Sequence, residues 1–324
     1  MASRGKYTSM RIIILGANGQ LGREIYSMLD QKMPGAEIIA AVRKKHLHFE
    51  GCTGDRQHRS VVFDLFADDF GKLGKADLLI NCIGSITGKT ENDFRKIHVG
   101  VTQLILRHRE KLGNPRIIQL SALGADKNSE SLFMRSKAEA DELLLQHKDV
   151  LVIRPSIVCT PGTRIIKKTE TLKKIAVLFF NCIPFPAGAL ETEIQPVLAR
   201  DLAELVWRCA ENMPEEKIIE ATGPEIITLR SLLKTAIPAA RIIPVNQRFC
   251  DGFYAIAAPL IRRWMSEEEW LLLRGKNTGT NRAMEKTLGR KPGSTDAFWQ
   301  EELLPDPAKK KNRIIRQSYA FDVS

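Results

Sequence analysis

Six short runs of β-branched and aliphatic residues alternate with helical stretches from residue 11 to about residue 158, and this alternation restricts the fold more than any other feature. A strand that is apolar along its whole length is buried on both faces, which is typical of a parallel sheet with helices crossing between its strands. The sequence therefore predicts an α/β fold with a doubly wound parallel sheet. The predicted strands are Arg11–Leu15, Glu37–Val42, Ser60–Phe63, Asp77–Ile80, Arg116–Leu120 and Val150–Ile153, and the predicted helices are Gln20–Gln31, Glu91–Lys111 and Ser131–His147.

A glycine-rich loop joins the first predicted strand to the first predicted helix. Glycines at such a place allow a tight turn, let backbone N–H groups approach a pyrophosphate and let the helix pack closely against the sheet. Glycine also marks strand-to-helix turns that bind nothing, but the position after the first strand favours a dinucleotide-binding sheet of the Rossmann type. The candidate cofactor-binding residues of this loop are Gly16, Asn18, Gly19, Gln20, Leu21 and Gly22.

The end of the second predicted strand bears on the form of the dinucleotide. An NAD-binding sheet carries an acidic residue there for the ribose hydroxyls, whereas this chain has Arg43, Lys44 and Lys45. Because cations would attract a 2′-phosphate, the sequence favours NADP(H), with NAD(H) as the other candidate. The alternative interpretation is that these cations only solvate the end of a strand.

Two further strand ends supply candidate cofactor contacts. Asp64, which is followed by Leu65, closes the third strand, where its carboxylate would either accept from the adenine amino group or cap a turn. Cys82, Ile83 and Gly84 follow the fourth strand, and Gly84 would let the backbone pass close to the ribose.

The regular alternation weakens after Pro155, and proline and glycine interrupt the segment 161–196. A second lobe is therefore predicted, with strands Lys217–Ala221 and Arg241–Val245 and helices Leu229–Ile237, Phe253–Trp264 and Ser266–Arg274. The predicted parts are a Rossmann domain at 10–160, a smaller C-terminal α/β lobe for substrate or partner at 161–304, of which 195–225 returns to the Rossmann sheet, and a basic polar tail at 305–324.

Charge and cysteine content restrict the partners and the compartment. The net charge of +11 favours an acidic partner, or else serves solubility. The basic clusters at 164–174 and 309–316 lack the interleaved aromatics of single-strand nucleic-acid binders, so an anionic membrane surface or a membrane-bound protein complex is preferred over nucleic acid. The six cysteines show no zinc or disulfide spacing, so no metal site and free buried thiols are expected.

Membrane insertion and secretion are not expected. No apolar run approaches the roughly 20 residues that span a bilayer, and the ten or so residues before the first strand lack the apolar core of a signal peptide. We therefore expect a cytoplasmic protein in a reducing compartment.

Beyond the glycine loop, several short motifs keep a characteristic order and spacing. Together they resemble the atypical, extended-type short-chain dehydrogenases/reductases, and most of all the NAD(P)H-binding accessory subunit of respiratory complex I and its bacterial relatives. The resemblance covers nearly the whole chain. The motifs are Ile97–Val99, Gln119–Asp126, Ser136–Ala138, Ile153–Val158, Gln195–Val197, Asp201–Ala203 and Thr222–Glu225, followed by Thr228.

The resemblance implies a dinucleotide in the cleft between the sheet and the small lobe. It also implies attachment to a membrane-bound complex or to quinone metabolism, hence a peripheral place at the inner membrane, in the mitochondrial matrix of a eukaryote. Ser121 would bind a substrate carbonyl or cap a turn, and Lys137 would bind the nicotinamide ribose or be a solvated helix residue. Pro155 and Ser156 would lie against the nicotinamide or only terminate a strand.

The chain departs from this pattern at Phe133. Relatives often carry tyrosine there, four residues before the lysine, so that both side chains share one helix face. Phenylalanine removes a general acid that usually contributes 10²–10⁴-fold. A second departure is Ala187-Gly-Ala189, where relatives have a glycine-rich turn.

Two functions follow from these residues. The preferred one is an NADP(H)-bound scaffold or accessory factor with little or no turnover. The alternative is an NADPH-dependent reductase or dehydratase of a small carbonyl or quinone-like substrate that uses Ser121, Lys137 and an unorthodox acid. Cys82 is a candidate for that acid, although a buried cysteine that packs as a small apolar residue is the more ordinary interpretation.

Overall fold

A parallel sheet forms the centre of the computed structural model, which describes residues 7, 9–43, 59–178, 180–246, 248, 252 and 266–303. The strands of the described residues, numbered in chain order, are β1 (Arg11–Leu15), β2 (Glu37–Val42), β3 (Arg59–Val62), β4 (Leu78–Asn81), β5 (Arg116–Leu120), β6 (Val150–Pro155), β7 (Val158–Cys159), β8 (Cys182–Pro186), β9 (Glu193–Ile194), β10 (Val197–Leu198), β11 (Ile218–Ala221), β12 (Ile227–Thr228) and β13 (Arg241–Val245).

Seven of these strands make up the large sheet, in the order β3-β2-β1-β4-β5-β6-β11. Every pairing in it is parallel. The chain moves outward from β1 to β3 and then returns to β4 on the other side of β1, so the strand order reverses between β1 and β4. Ligands of open α/β sheets bind at the carboxyl ends of the strands beside such a reversal. The predicted Rossmann fold is confirmed.

Helices cover both faces of the sheet. The described helices are α1 (Gln20–Lys32), α2 (Glu91–Arg95), α3 (Val101–Arg107), α4 (Leu132–Leu145), α5 (Arg164–Leu178), α6 (Ala187–Leu190), α7 (Ala199–Glu211), α8 (Leu229–Ala236), α9 (Glu267–Leu272), α10 (Arg282–Leu288) and α11 (Asp296–Leu303), with a 3₁₀ turn at Phe70–Leu73 and a π-helical turn at Lys96–Gly100.

The alternation of side chains along each strand creates the two cores of the Rossmann domain. Ile12 and Ile14 of β1 belong to one core, which also contains buried residues of α1 and α7. Ile13 and Leu15 belong to the other, together with Val101 and neighbours from α3 and α4. Because both faces are buried, the strands need no polar residues, which explains their continuous apolar sequence.

A third core lies in the C-terminal lobe. It is built from α5, α8 and α11 around the small parallel pair β8 and β13, with Phe185, Leu232, Leu233 and Trp299 among its buried residues. The chain leaves this lobe for α7 and β11, and α10 also packs on α7 and β11. The exact bounds of the two domains stay a prediction.

Two sequence-based expectations differ from the structure. The predicted helix 91–111 begins at Glu91 as expected, but it contains a π turn between α2 and α3 and ends at Arg107 rather than at Lys111. Beyond that point the chain turns through Gly113 and Asn114, both at positive φ. The segment 161–196, which was expected to be irregular, contains the 15-residue helix α5.

Some expectations lie outside the described residues: the helix Phe253–Trp264, the contacts of Lys44 and Lys45, and the polar tail. Among the described residues, no helix is long and apolar enough to span a bilayer.

Candidate functional site

The glycine loop has the shape that a pyrophosphate site requires. Gly16 adopts φ +75°, and a Cβ added there would lie 3.0 Å from Ile83 Cγ1. At Gly22 an added Cβ would come within 2.3 Å of the Gly16 carbonyl oxygen, because α1 packs directly on the loop. At Gly19 it would meet only that same oxygen, at 3.2 Å. Gly16 and Gly22 are therefore required by the fold, whereas Gly19 borders open space.

The amino end of α1 faces this open space. Gly19 is the N-cap residue and provides no side chain to satisfy the first N–H groups of the helix, and the first turn contains no acidic residue. Free N–H groups and the positive end of the helix dipole attract an anion. Asn18 and Gln20 are exposed beside the loop, and Leu21 packs against the core. These residues fit a dinucleotide pyrophosphate.

The end of β4 holds its backbone in place through a buried amide pair. Asn81 Nδ2 donates to Gln119 Oε1 at 2.8 Å, and Asn81 Oδ1 accepts from Ile83 N at 3.0 Å. The turn that follows brings Gly84 beside Lys137, whose Nζ would lie 3.0 Å from a Cβ added to the glycine. Any larger residue at position 84 would press against this lysine.

The adenine side of the candidate site is only partly described. Arg43 is exposed at the end of β2. Asp64 Oδ1 accepts from Phe66 N at 2.9 Å. This oxygen therefore caps the turn after β3, which is the alternative to adenine binding. Asp64 Oδ2 makes no hydrogen bond to a described residue, so this oxygen can still accept from an adenine amino group. Leu65 packs against the neighbouring core.

Lys137 is buried, with 4% of its surface exposed, and its Nζ donates to the Leu120 carbonyl oxygen at 3.0 Å. Burial lowers the pKa of Lys137 to about 8, although the nearby Asp141 carboxylate opposes the shift. Lys137 is therefore not a solvated lysine on the surface of the helix. The side chain lies between Gly84 and the end of β5, where the ribose of a dinucleotide is expected.

Ser121 belongs to a second buried network. Its Oγ donates to Asp141 Oδ2 at 2.8 Å, and Arg154 Nε donates to the same oxygen at 2.9 Å. Burial raises the pKa of Asp141, while the contacts with Ser121 and Arg154 oppose that shift. The hydroxyl hydrogen of Ser121 is thus engaged with a carboxylate and is not directed to a substrate carbonyl.

Phe133 lies where a general acid was expected. Its ring borders the cleft between the sheet and the C-terminal lobe and meets two other rings edge to face, with centroids 5.4 Å from His98 and 6.4 Å from Phe94. Such arrangements are preferred by aromatic pairs. Phe133 therefore packs as one member of an aromatic cluster.

His98 connects this cluster to the loop after β4. Its Nε2 accepts from Ser85 N at 3.3 Å, so its proton is on Nδ1, which donates to Ser136 Oγ at 2.8 Å. Ser136 in turn donates to the Phe133 carbonyl oxygen at 2.9 Å. His98 lies in the π turn, a local widening that is frequent at functional sites. His98 belongs to the motif 97–99 of the resemblance, but no sequence pattern predicts its contacts.

We expect His98 to make the protein sensitive to acid. Burial lowers the pKa of His98 from 6.5 to about 2, so the unfolded chain binds a proton below pH 6.5 that the folded chain does not. The free energy of unfolding should fall by up to about 1.4 kcal/mol for each pH unit below that value. Denaturant titrations at pH 7.5 and pH 5 measure this loss. His98→Gln should lose less stability between the two pH values, and an equal loss would contradict the assignment.

The amino end of α4 is held by a residue that the sequence did not reveal. Glu268 is buried, and its two carboxylate oxygens accept from Leu132 N at 3.0 Å and from Phe133 N at 3.1 Å. Ser131 Oγ donates to the same carboxylate at 2.6 Å. The glutamate lies 135 residues after Phe133 in the chain, so no local pattern could have predicted this contact. It attaches α9 to the helix that carries Phe133 and Lys137.

A cleft of about 830 Å³ lies between the Rossmann domain and the C-terminal lobe. Ser121, Phe133, Pro155 and Ser156 border it, so the structure brings these four predicted site residues together. Arg43 and Asp64 lie at other strand ends of the sheet. Cys82 is near Lys137, and burial raises the pKa of its thiol to about 12. This thiol is therefore a very weak acid, in agreement with the apolar interpretation of the cysteine.

Comparison with known proteins relates this geometry to two groups. The sequence is 28% identical over 240 residues to "NADH dehydrogenase [ubiquinone] 1 alpha subcomplex subunit 9, mitochondrial" of Arabidopsis thaliana, which covers 71% of this chain and 58% of that protein. The mouse protein of the same name is 25% identical over 71% of this chain and 61% of its own length. The "NADH-ubiquinone oxidoreductase 40 kDa subunit, mitochondrial" of Neurospora crassa is 24% identical over 66% and 56%.

The chain is a homologue of these complex I subunits. It spans about three fifths of the length of the curated relatives that it matches. No protein-family model matches the chain.

Solved structures of other proteins share the fold of this chain. The dTDP-glucose 4,6-dehydratase of Bacillus anthracis, in complex with NAD, superposes with a TM-score of 0.66 at 14% identity, over 96% of this chain and all of the other. RMD of Pseudomonas aeruginosa, complexed with NADPH, gives 0.62 at 15% identity, over 91% and 96%. At these identities the likeness shows the fold alone. The predicted resemblance to atypical, extended-type short-chain dehydrogenases/reductases is confirmed.

Proposed function

We propose that this protein binds a nicotinamide dinucleotide along the carboxyl edge of its sheet and acts as a dinucleotide-loaded accessory factor with little or no turnover. The observation that carries the proposal is the glycine loop, where Gly16 and Gly22 close the turn while Gly19 and the uncapped end of α1 leave room for an anion. Two structural neighbours hold NAD or NADPH, which supports the same cofactor class.

Each part of the dinucleotide has candidate partners. The loop Gly16–Gly22 would hold the pyrophosphate, Arg43 and Lys44 a 2′-phosphate, and Asp64 the adenine. Lys137 would bind the nicotinamide ribose, and Pro155 and Ser156 would border the nicotinamide itself. When bound, this group supplies or accepts a hydride. The chain's own residues only bind and orient it.

Low turnover follows from the proton sources near the cleft. Phe133 has no hydroxyl, Ser121 already donates to Asp141, and the Cys82 thiol has a pKa of about 12. Among the candidate site residues Lys137, with its pKa near 8, is the remaining donor, but it does not line the cleft, and one of its three N–H groups donates to the Leu120 carbonyl. A bound dinucleotide stabilises the folded chain by linkage, which gives it a structural role without chemistry.

NADPH should bind more tightly than NADH. Arg43, exposed at the end of β2, would pair with the 2′-phosphate, and a charge-assisted hydrogen bond contributes about 1.5–3 kcal/mol, or roughly tenfold or more in affinity. Calorimetric titration with both cofactors measures the difference. Arg43→Ala should weaken NADPH binding and leave NADH binding unchanged; equal affinities in the wild type would remove the argument for NADP(H).

The alternative function is an active NADPH-dependent reductase or dehydratase of a small carbonyl or quinone-like substrate. The cleft beside Ser121 and Phe133 is the observation that favours it, because a binding factor for dinucleotide alone does not need this space. Steady-state NADPH oxidation with carbonyl and quinone acceptors distinguishes the two functions.

We also propose attachment at an anionic membrane surface, and the resemblance to mitochondrial complex I subunits supports this proposal. Phe180 is 95% exposed and Val177 is 73% exposed, at the tip that joins α5 to β8. Lys174 is exposed one helical turn before Val177, and Arg241 N donates to Asn181 O at 2.7 Å, which brings an exposed arginine beside the tip. An exposed apolar tip with adjacent cations fits an anionic bilayer surface, which attracts basic residues.

Phe180→Ser should weaken binding to vesicles of phosphatidylserine and phosphatidylcholine by about tenfold or more, since burial of a phenylalanine contributes about 1.5–3 kcal/mol. Cosedimentation measures this change. Phe66→Ser is the matched control, because Phe66 is also exposed but belongs to the Rossmann domain, after β3. Equal binding by both variants, or no binding by the wild type, would contradict the proposed surface.

A further inference from the structure

The walls of the cleft between the two lobes are mainly apolar, whereas a charged substrate needs charged or hydrogen-bonding groups around it. On the C-terminal side they are made of aliphatic and aromatic residues from five elements. Examples are Ile165 and Leu172 of α5, Phe185 of β8, Leu233 of α8 and Leu271 of α9. On the Rossmann side, Leu123, Phe133 and Met134 continue the same apolar surface to the place expected for the nicotinamide.

The cations that border the cleft are already paired. Lys168 Nζ lies 3.1 Å from Glu269 Oε2, and Lys276 Nζ lies 2.7 Å from Glu193 Oε2. Arg274 also interacts with another group of the protein. A diphosphate in this cleft would compete with Glu269 and Glu193 for these cations, and it would also approach the exposed carboxylate of Glu130. Burial of such an anion without a free cation is costly.

Most of the hydroxyls in the wall donate within the protein. Ser121 donates to Asp141, Ser131 to Glu268, Thr169 to the Ile166 carbonyl and Thr192 to the Leu273 carbonyl. The hydrogens of these hydroxyls are therefore not available to a ligand rich in hydroxyls, such as a sugar. The surface that remains for a ligand is therefore mainly apolar.

From these walls we infer that the cleft binds an uncharged, apolar molecule and does not bind a nucleotide sugar. Its volume of about 830 Å³ lies in the range of pockets that enclose a small-molecule ligand. The inference rests on the proposed function only in that the cleft is the substrate side of a dinucleotide site. It holds whether or not the ligand is turned over.

The neutral fluorophore N-phenyl-1-naphthylamine, which emits strongly in apolar surroundings, tests the inference. The full chain should bind it saturably at one site, with or without NADPH, and dodecanol should displace it. UDP-glucose in large excess should leave the signal unchanged. Displacement by UDP-glucose but not by dodecanol, or the absence of saturable binding to a folded protein, would overturn the inference.

A pair of variants locates the site. Leu271→Trp adds bulk to the wall on a partly exposed helix and should lower the affinity for the fluorophore by about tenfold or more, because the larger side chain fills part of the space that the fluorophore needs. Ile226→Trp, at a position 55% exposed and outside the cleft, should have no effect. Equal affinities of the two variants would also overturn the inference. NADPH titration of the same samples reports separately on the dinucleotide site, so failure of the proposed function is distinguishable.

Discussion

Phe133→Tyr should raise NADPH oxidation with carbonyl or quinone acceptors by about 10²-fold, because a general acid is usually worth at least that much. The new hydroxyl would project from a ring that borders the cleft, on the helix face that it shares with Lys137 four residues later. The lysine, with a pKa near 8, would be positioned to lower the pKa of the phenol. Initial rates of NADPH absorbance loss measure the gain.

Lys137→Ala, alone and combined with Phe133→Tyr, is the control for the case in which Phe133→Tyr does not raise NADPH oxidation. Lys137→Ala should weaken dinucleotide binding and remove the activity of the Phe133→Tyr variant. If the single lysine variant loses cofactor affinity and no variant has activity, a dinucleotide-binding scaffold is the surviving account. A wild-type protein that already turns over near the roughly 10 s⁻¹ median of enzymes would refute the accessory-factor proposal.

Gly19→Val should abolish dinucleotide binding and leave the protein folded. An added Cβ at this position meets only the Gly16 carbonyl oxygen, at 3.2 Å, so the loop needs to shift little, but the side chain occupies the space in front of α1. Circular dichroism and NADPH titration examine the two parts of the prediction.

Gly22→Ala is the contrasting variant, because its Cβ would lie 2.3 Å from the Gly16 oxygen and 2.9 Å from Ala17 Cα. Overpacking of this kind costs about 1–3 kcal/mol of stability. Unchanged NADPH affinity in Gly19→Val would mean that the loop is a structural turn only. Equal destabilisation of Gly19→Val and Gly22→Ala would contradict the claim that position 19 has more room for a side chain than position 22.

The Rossmann sheet was predictable because its strands are defined by local sequence. β1, β2 and β5 have the predicted bounds, since their sequences are mostly apolar, as at Ile12 to Leu15, and are followed by glycine or by polar residues. The π turn within the predicted helix 91–111 was not predictable. Its residue His98 contacts Ser85 and Ser136, which are distant in sequence, and no local pattern contains these contacts.

The candidate site was predictable where it depends on strand ends and helix spacing. Spacing by four residues places Phe133, Lys137 and Asp141 on one side of α4, although the role of Asp141 as a buried partner of Ser121 was missed. The contact of Glu268 with the amino end of α4 depends on how the two lobes pack, and no sequence pattern contains that information.

The most direct test of the account follows the fluorescence of NADPH as it is mixed with the wild-type protein and an excess of a quinone acceptor. We predict a saturable change in nicotinamide emission, one dinucleotide per chain, which then persists because the bound cofactor is not oxidised at an enzymatic rate. Absence of a saturable change would contradict the proposed dinucleotide site. A bound signal that decays at about 10 s⁻¹ would contradict the proposed lack of turnover.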